Sequence, residues 1–290
     1  MIDFHLHSTG SDGLDTPSQL IDKAMELKLK AIALTDHDNI KSLKEFILYG
    51  EEKEIIVLPG IEISIRHEPV RELIDVHIIG LNIDYESLKL INAIDEQIKG
   101  RIEQKKAIVK RLRDEFGYNI TFKEVKTIAG STIIGRPHIV EILIKNNANK
   151  IKGMSKNDLF KMISIGGEAF VDREVELNFE ECIELIKSAG GVPILAHPGI
   201  YEVSDRKKFI KFCVGAGIEG IEIEYTYSKN RPYYETNKAL WAQEYFPNFY
   251  RKLAKNFNLL MSGGSDYHGG KKGIRIGDAN VPDNYLKSFI

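Results

Sequence analysis

MIDFHLHSTGSDG (residues 1–13) decides how the rest of the chain is read. IDFHLH (2–7) has the apolar, β-branched character of a strand and ends on two histidines. His5 and His7 stand at i and i+2, so on a strand their side chains leave the same face. Asp12 follows in the next turn-rich stretch. Three metal-type ligands at the end of one short strand raise the expectation that others join them from elsewhere.

Six further runs share this form. They are AIALTDH (31–37), EIIVLPGIEIS (54–64), LIDVHIIGLNI (73–83), VPILAHP (192–198), IEGIEIEY (218–225) and LLMSGGSDYH (259–268). Between most of them lie amphipathic helical patterns. The first, PSQLIDKAMELKL, has Thr16 as N-cap and Pro17 at the first helical position. LKEFILYGEEK, FEECIELIKSAGG, RKKFIKFCVGAG and FYRKLAKNF follow. Continuous apolar strands alternating with helices predict an α/β fold of parallel β/α units, and seven strands suffice to close a barrel. The alternation fails between residues 85 and 167, where only helical periodicity is present. That predicts a barrel over 1–84 and 168–290, with a small helical insertion over 85–167.

Composition narrows the function classes. The chain has 290 residues, 28% of them charged, and forty basic against 42 acidic side chains leave a net charge of −2. A surface built to coat nucleic acid is not expected at that balance, so stable DNA binding is not predicted. Cys182 and Cys213 lie on apolar patterns far apart and read as reduced core thiols. No run approaches the ~18 apolar residues of a membrane span. These features predict a cytoplasmic protein with no membrane partner.

The chemistry-bearing residues fall at strand ends. His5 and His7 close the first, His37 the second, Glu62 the third and His197 the fifth; His77 lies on the fourth; Asp266 and His268 end the last. In parallel β/α architectures the active site is assembled at that rim. With Asp12, six imidazoles and three carboxylates make nine ligands, too many for one ion. Shared among three divalent ions, they leave a positive centre suited to a phosphate and to activation of water. Nitrogen and oxygen donors suit Zn²⁺, Mn²⁺ or Fe²⁺.

HLHSTGSDG, LTDHD, PGIEIS, VHIIG, LAHPG and GSDYHG together resemble, in order, the motifs of the PHP (polymerase and histidinol phosphatase) family of metal-dependent phosphoesterases. The resemblance covers nearly the whole chain. It implies a distorted (β/α)₇ barrel, in agreement with the strand count. It also implies up to three divalent ions without fixing their identity; manganese is expected first, with zinc or iron as alternatives. One would be held by His5, His7, Glu62 and Asp266, a second by Glu62, His77 and His197, and a third by Asp12, His37 and His268. GRPHIVEIL and the stretch through LAHPG look most like a stand-alone bacterial subgroup with a helical insertion. Its members remove the 3′-phosphate of nucleoside 3′,5′-bisphosphates, and related proteins trim short RNA from the 5′ end. The expected partner is therefore a small phosphorylated nucleotide, with short RNA as the alternative. Histidinol phosphate as substrate, and a non-catalytic metal-binding module, are weaker readings.

The resemblance further implies that Arg136 and His138 contact the substrate phosphate, reaching back over the metal rim. Arginine's planar fork suits that task, although Pro137 also fits a plain helix start. His268, His37 or a metal-bound water is expected to protonate the departing ribose oxygen, and the sequence does not choose among them. Asp36 is expected to orient a ligand, Asp38 to cap the next helix, and His67 to lie solvated in a loop. Tyr225, Tyr227 and Arg231 are candidates for base contacts, with ordinary packing the stronger expectation for most of that run. Lys271 and Lys272 are candidates for a second phosphate, and Arg101 and Lys105 for substrate contact.

Overall fold

β-Branched runs pair where turn chemistry brings them side by side, and here seven of them do. The computed structural model describes residues 1–130, 134–230, 232–270 and 273–290. The strands are β1 (Ile2–Leu6), β2 (Ala31–Leu34), β3 (Ile56–Ser64), β4 (His77–Leu81), β5 (Val192–Leu195), β6 (Gly220–Tyr225) and β7 (Leu260–Gly264). They form one sheet in chain order. The sheet is nearly closed, because β1 and the end of β7 meet through His7 N–H to Tyr267 O (3.0 Å) and Asp266 N–H to His5 O (2.9 Å). Gly264 permits that approach: a Cβ there would lie 2.3 Å from His5 Cβ.

Helices α1 (Pro17–Glu26), α2 (Leu43–Glu52), α7 (Phe179–Ser188), α8 (Arg206–Gly215) and α9 (Ala239–Phe257) belong to this barrel unit, residues 1–94 and 177–290. α1 starts as its sequence predicts. Thr16 accepts from Gln19 N–H, the Gln19 side chain reaches back, and Pro17 opens the first turn. Cys182 and Cys213 are buried free thiols.

The predicted parallel pairing fails at one strand. β4 runs antiparallel to both β3 and β5. The reason is local: residues 65–76, which join β3 to β4, form only a single turn of 3₁₀ helix at Pro69–Arg71 and no crossover helix of the kind that usually returns a parallel strand. The reversal has a consequence for the rim. His77 begins its strand rather than ending it, and pairs with Ser64 at the end of β3. Reversing the strand therefore brings its first residue level with the last residues of its neighbour.

The core of this unit is Ile2, Phe4, Ala31, Ala33, Leu58, Ile79, Leu81, Ile194 and Ala196, joined by the C-terminal Val281, Tyr285, Leu286 and Phe289. Phe4 meets Phe289 edge to face at 5.6 Å and is fully buried, worth about 1.5–3 kcal/mol. Phe4 and His5 are neighbours, yet one serves the core and the other the rim. The plain alternation of a strand turns adjacent side chains to opposite faces.

The second unit, residues 95–176, is helical. α3 (Leu88–Asp114) crosses the boundary into it, followed by α4 (Phe122–Ala129), α5 (Arg136–Asn146) and α6 (Lys156–Met162). Thr121 and Ser155 cap α4 and α6 with reciprocal bonds from Glu124 and Asp158. Its own apolar core includes Ile108, Leu112, Val125, Ile139, Val140, Leu143 and Leu159. Among the described residues no helix is long and apolar enough to cross a membrane.

Candidate metal centre

The nine metal-type side chains come from six strand ends and the loop after β1, and they converge. Glu62, at the end of β3, is fully buried and is the hub. Its Oε2 lies 3.3 Å from His5 Nε2, 3.3 Å from His7 Nε2 and 2.8 Å from His37 Nδ1. Its Oε1 lies 2.8 Å from His77 Nδ1 and 2.9 Å from His197 Nε2. Asp266 Oδ1 lies 3.2 Å from His7 Nε2 and 3.4 Å from His268 Nδ1. Asp12 Oδ1 lies 3.2 Å from His268 Nε2 and 4.0 Å from His37 Nε2.

Four sets of these donors have ligand atoms close enough to share one ion: His7, Asp12, His37 and His268; His5, His7 and Asp266; His5, Glu62 and His197; His37, Glu62 and His77. The residues implied by the resemblance are thus neighbours, but grouped differently in detail. His7 also reaches the Asp12 set, and His77 and His197 divide Glu62 between two sets.

These donor atoms fit a metal better than they fit one another. His5 Nε2, His7 Nε2, His37 Nδ1 and Glu62 Oε2 are buried and make no hydrogen bond of normal geometry, despite separations near 3 Å. They point into shared space rather than at each other, as ligands around a cation do. Five imidazoles on one carboxylate also cannot all be protonated at once without strong mutual repulsion. A divalent ion would resolve both problems by replacing the protons. Imidazole and carboxylate donors without thiolate leave zinc, manganese and iron all chemically suitable.

The electrostatics agree. Burial alone would raise the Glu62 carboxyl, but His37, His77 and His5 hold it well below the usual range. Burial likewise opposes Asp266 and Asp12, and His268 with neighbouring imidazoles holds both well below that range. Burial would lower His7, yet Asp266 and Glu62 push it up to about 9. Burial, helped by the nearby His7, brings His37 down.

The supporting residues differ in part from expectation. Asp36 holds the Asp12-bearing loop rather than a histidine, accepting from Ser8 N–H (2.7 Å), Ser8 Oγ and Ser11 Oγ. Asp38 accepts from Ser64 N–H (3.0 Å), tying the end of β2 to β3, and does not cap α2, whose N-cap is Ser42. His67 Nδ1 accepts from Asp75 N–H. Tyr225 and Tyr227 are buried, and the Tyr225 hydroxyl donates to Asp266 Oδ2 (2.8 Å) instead of facing a base. Arg231, Lys271 and Lys272 lie outside the described residues.

Glu222 on β6 went unremarked in the sequence. It is fully buried and bonds His5 Nδ1 (3.0 Å) and His197 N–H (2.7 Å). Alternating Ile and Glu in GIEIEY resembles a strand with one wet face, which concealed it. A carboxylate on a strand between two ligand-bearing strands is the signal that would have found it.

In the insertion, Arg136 opens α5 and its Nη1 donates to Ser164 Oγ (3.1 Å). His138 Nδ1 accepts from Gly135 N–H (3.1 Å), so its observed contact is a helix cap. Arg136 belongs to a cationic group. Burial, then Arg101, Arg173 and Arg136, hold Lys105 well below the usual lysine range. Glu176 pairs with Arg173 at 3.0 Å.

Comparison with known proteins adds to this geometry. The family model described as PHP domain matches residues 3–247. The chain is 29% identical over 272 residues to the 5′-3′ exoribonuclease Rnm of Escherichia coli, covering 92% of this chain and 84% of that protein. It is 29% identical over 227 residues to a 3′,5′-nucleoside bisphosphate phosphatase of Chromobacterium violaceum, covering 77% and 76%. A solved protein of Bifidobacterium adolescentis, described as a candidate metal-dependent phosphoesterase, superposes with a TM-score of 0.79 at 25% identity, covering 99% and 94%.

Proposed function

Because this chain belongs to the PHP domain family and is a metal-dependent phosphoesterase, we propose that it removes the 3′-phosphate of nucleoside 3′,5′-bisphosphates. The observation that carries this reading is the convergence of nine imidazole and carboxylate side chains at the rim of a chain similar to a bisphosphate phosphatase; Arg101, Lys105, Arg136 and Arg173, with Glu176, lie near one another in the insertion. Buried like charges repel, and an anionic group bound beside them relieves that repulsion. The similarity to a bisphosphate phosphatase supports the same choice.

The proposed metal ligands are His5, His7, Asp12, His37, Glu62, His77, His197, Asp266 and His268. We assign them up to three divalent ions, manganese first and zinc or iron as alternatives. When bound, such ions polarise phosphate oxygens and make water a better nucleophile. The chain's own groups do the rest. Arg136, with His138 beside it on α5, binds substrate phosphate by charge-assisted hydrogen bonds.

A second reading, 5′-to-3′ trimming of short RNA, is favoured by the exoribonuclease relative, which matches more of this chain. Phosphate release from adenosine 3′,5′-bisphosphate, measured beside a 5′-phosphorylated RNA pentamer with Mn²⁺ and with chelator, separates the two. Rapid metal-dependent release from the bisphosphate alone is the expected result. Stepwise shortening of the pentamer, with the bisphosphate untouched, would replace this reading with the second.

A further inference from the structure

We propose that Glu222 is the positioning residue that sets how His5 and His197 present themselves to a metal ion. This rests on the metal-centre reading above. β6 is the one strand of the seven that brings no proposed ligand to the rim, yet Glu222 on it is fully buried among ligands. Each of its oxygens has its own partner: Oε1 faces His5 Nδ1 at 3.0 Å, and Oε2 accepts from His197 N–H at 2.7 Å.

The first bond chooses a tautomer. A carboxylate can only accept, so Nδ1 of His5 carries the hydrogen and Nε2 keeps its lone pair. That Nε2 is the atom that lies 3.3 Å from Glu62 Oε2 and 3.6 Å from Asp266 Oδ1 and makes no hydrogen bond. Glu62 and Asp266 alone would favour the opposite tautomer, with a proton on Nε2 shared between them and no lone pair left for a metal. Glu222 opposes that outcome.

The second bond holds a strained turn. His197 has φ +28°, a backbone region that side chains other than glycine rarely adopt. Anchoring its N–H from outside the turn supports the conformation that places His197 Nε2 2.9 Å from Glu62 Oε1. One carboxylate therefore orients two of the three donors in the His5, Glu62 and His197 set. The bulge in β6 between Glu222 and Glu224 lets the strand do this twice. Three residues on from Glu222, Tyr225 donates to Asp266 Oδ2 and leaves Oδ1 toward His5 and His7.

Glutamine at 222 distinguishes this role from simple packing. It has nearly the same shape but one acceptor and one donor, so it can serve His197 N–H or the Nδ1–H of His5, not both. The test is competition for Zn²⁺ between the full-length protein and a chromophoric chelator, comparing wild type with Glu222→Gln. The metal-stripped variant is checked by circular dichroism. Expected is a folded variant whose Zn²⁺ affinity falls about 10–100-fold, the usual cost of losing an outer hydrogen-bond partner. Undiminished affinity in a folded Glu222→Gln overturns the proposal alone. Wild type that binds no Zn²⁺ overturns the metal-centre reading, and the proposal with it. Should the variant misfold, ¹⁵N-resolved imidazole spectra of Zn²⁺-loaded wild type decide. His5 protonated at Nδ1 is the expected result, and protonation at Nε2 overturns it.

Discussion

Among the described residues, two clusters of ionisable groups, one at the barrel rim and one in the insertion, are shifted with opposite effect on their charge. At the barrel rim, imidazoles hold Glu62, Asp266 and Asp12 well below the usual carboxylate range against burial. In the insertion, burial and guanidinium groups hold Lys105 well below the usual lysine range. The first pattern keeps acids ionised and waiting for positive charge. The second crowds positive charge together and is relieved by an anion.

The strongest way to break this comparison is to damage the rim alone. His7→Ala or Asp266→Ala should abolish turnover, with a loss beyond the about 100-fold that an outer partner is worth. The fold should survive, because neither residue belongs to the apolar core. Steady-state rates on samples with measured metal content check this, and near-wild-type activity with full metal would refute the site.

A pH series sharpens the rim's side. His7 is raised from an ordinary 6.5 to about 9 in the absence of metal. Its stabilising contribution is fully present below pH 6.5 and is lost as pH rises through 9, a change of at most about 3 kcal/mol. Urea unfolding of metal-stripped protein should therefore show falling stability across that window. Metal-loaded protein should not, since His7 then carries no proton to lose.

On the insertion's side, Arg136→Ala should raise KM for bisphosphate about 10–100-fold, the worth of a charge-assisted hydrogen bond, and leave kcat nearly unchanged. A fall in kcat alone would contradict the assignment. The smallest effect is a control that belongs to neither cluster. Thr16→Ala removes the α1 cap and should cost about 1 kcal/mol in urea unfolding, without altering metal binding.

The strands and most of the ligand set are legible in the sequence because both obey local rules. Strand runs are contiguous, and His5, His7, Asp266 and His268 stand out as paired ligands two residues apart. The reversal of β4 is less visible, since strand composition does not encode direction; only the helix-free link of residues 65–76 hints at it. Glu222, and the role of Tyr225 beside Asp266, were hidden for a different reason. Glu222 sits in an Ile/Glu alternation that resembles a half-wet strand, and the register shift after it alters the face that Tyr225 serves. Asp38 was misread because an acid before a helical pattern resembles a cap, whereas its φ of +44° turns it toward Ser64 instead.

The most direct measurement compares kcat/KM for adenosine 3′,5′-bisphosphate and adenosine 3′-monophosphate, in wild type and in Arg136→Ala. The account predicts that wild type prefers the bisphosphate, and that Arg136→Ala loses this preference while keeping its activity on the monophosphate. Equal loss on both substrates would contradict the role proposed for Arg136.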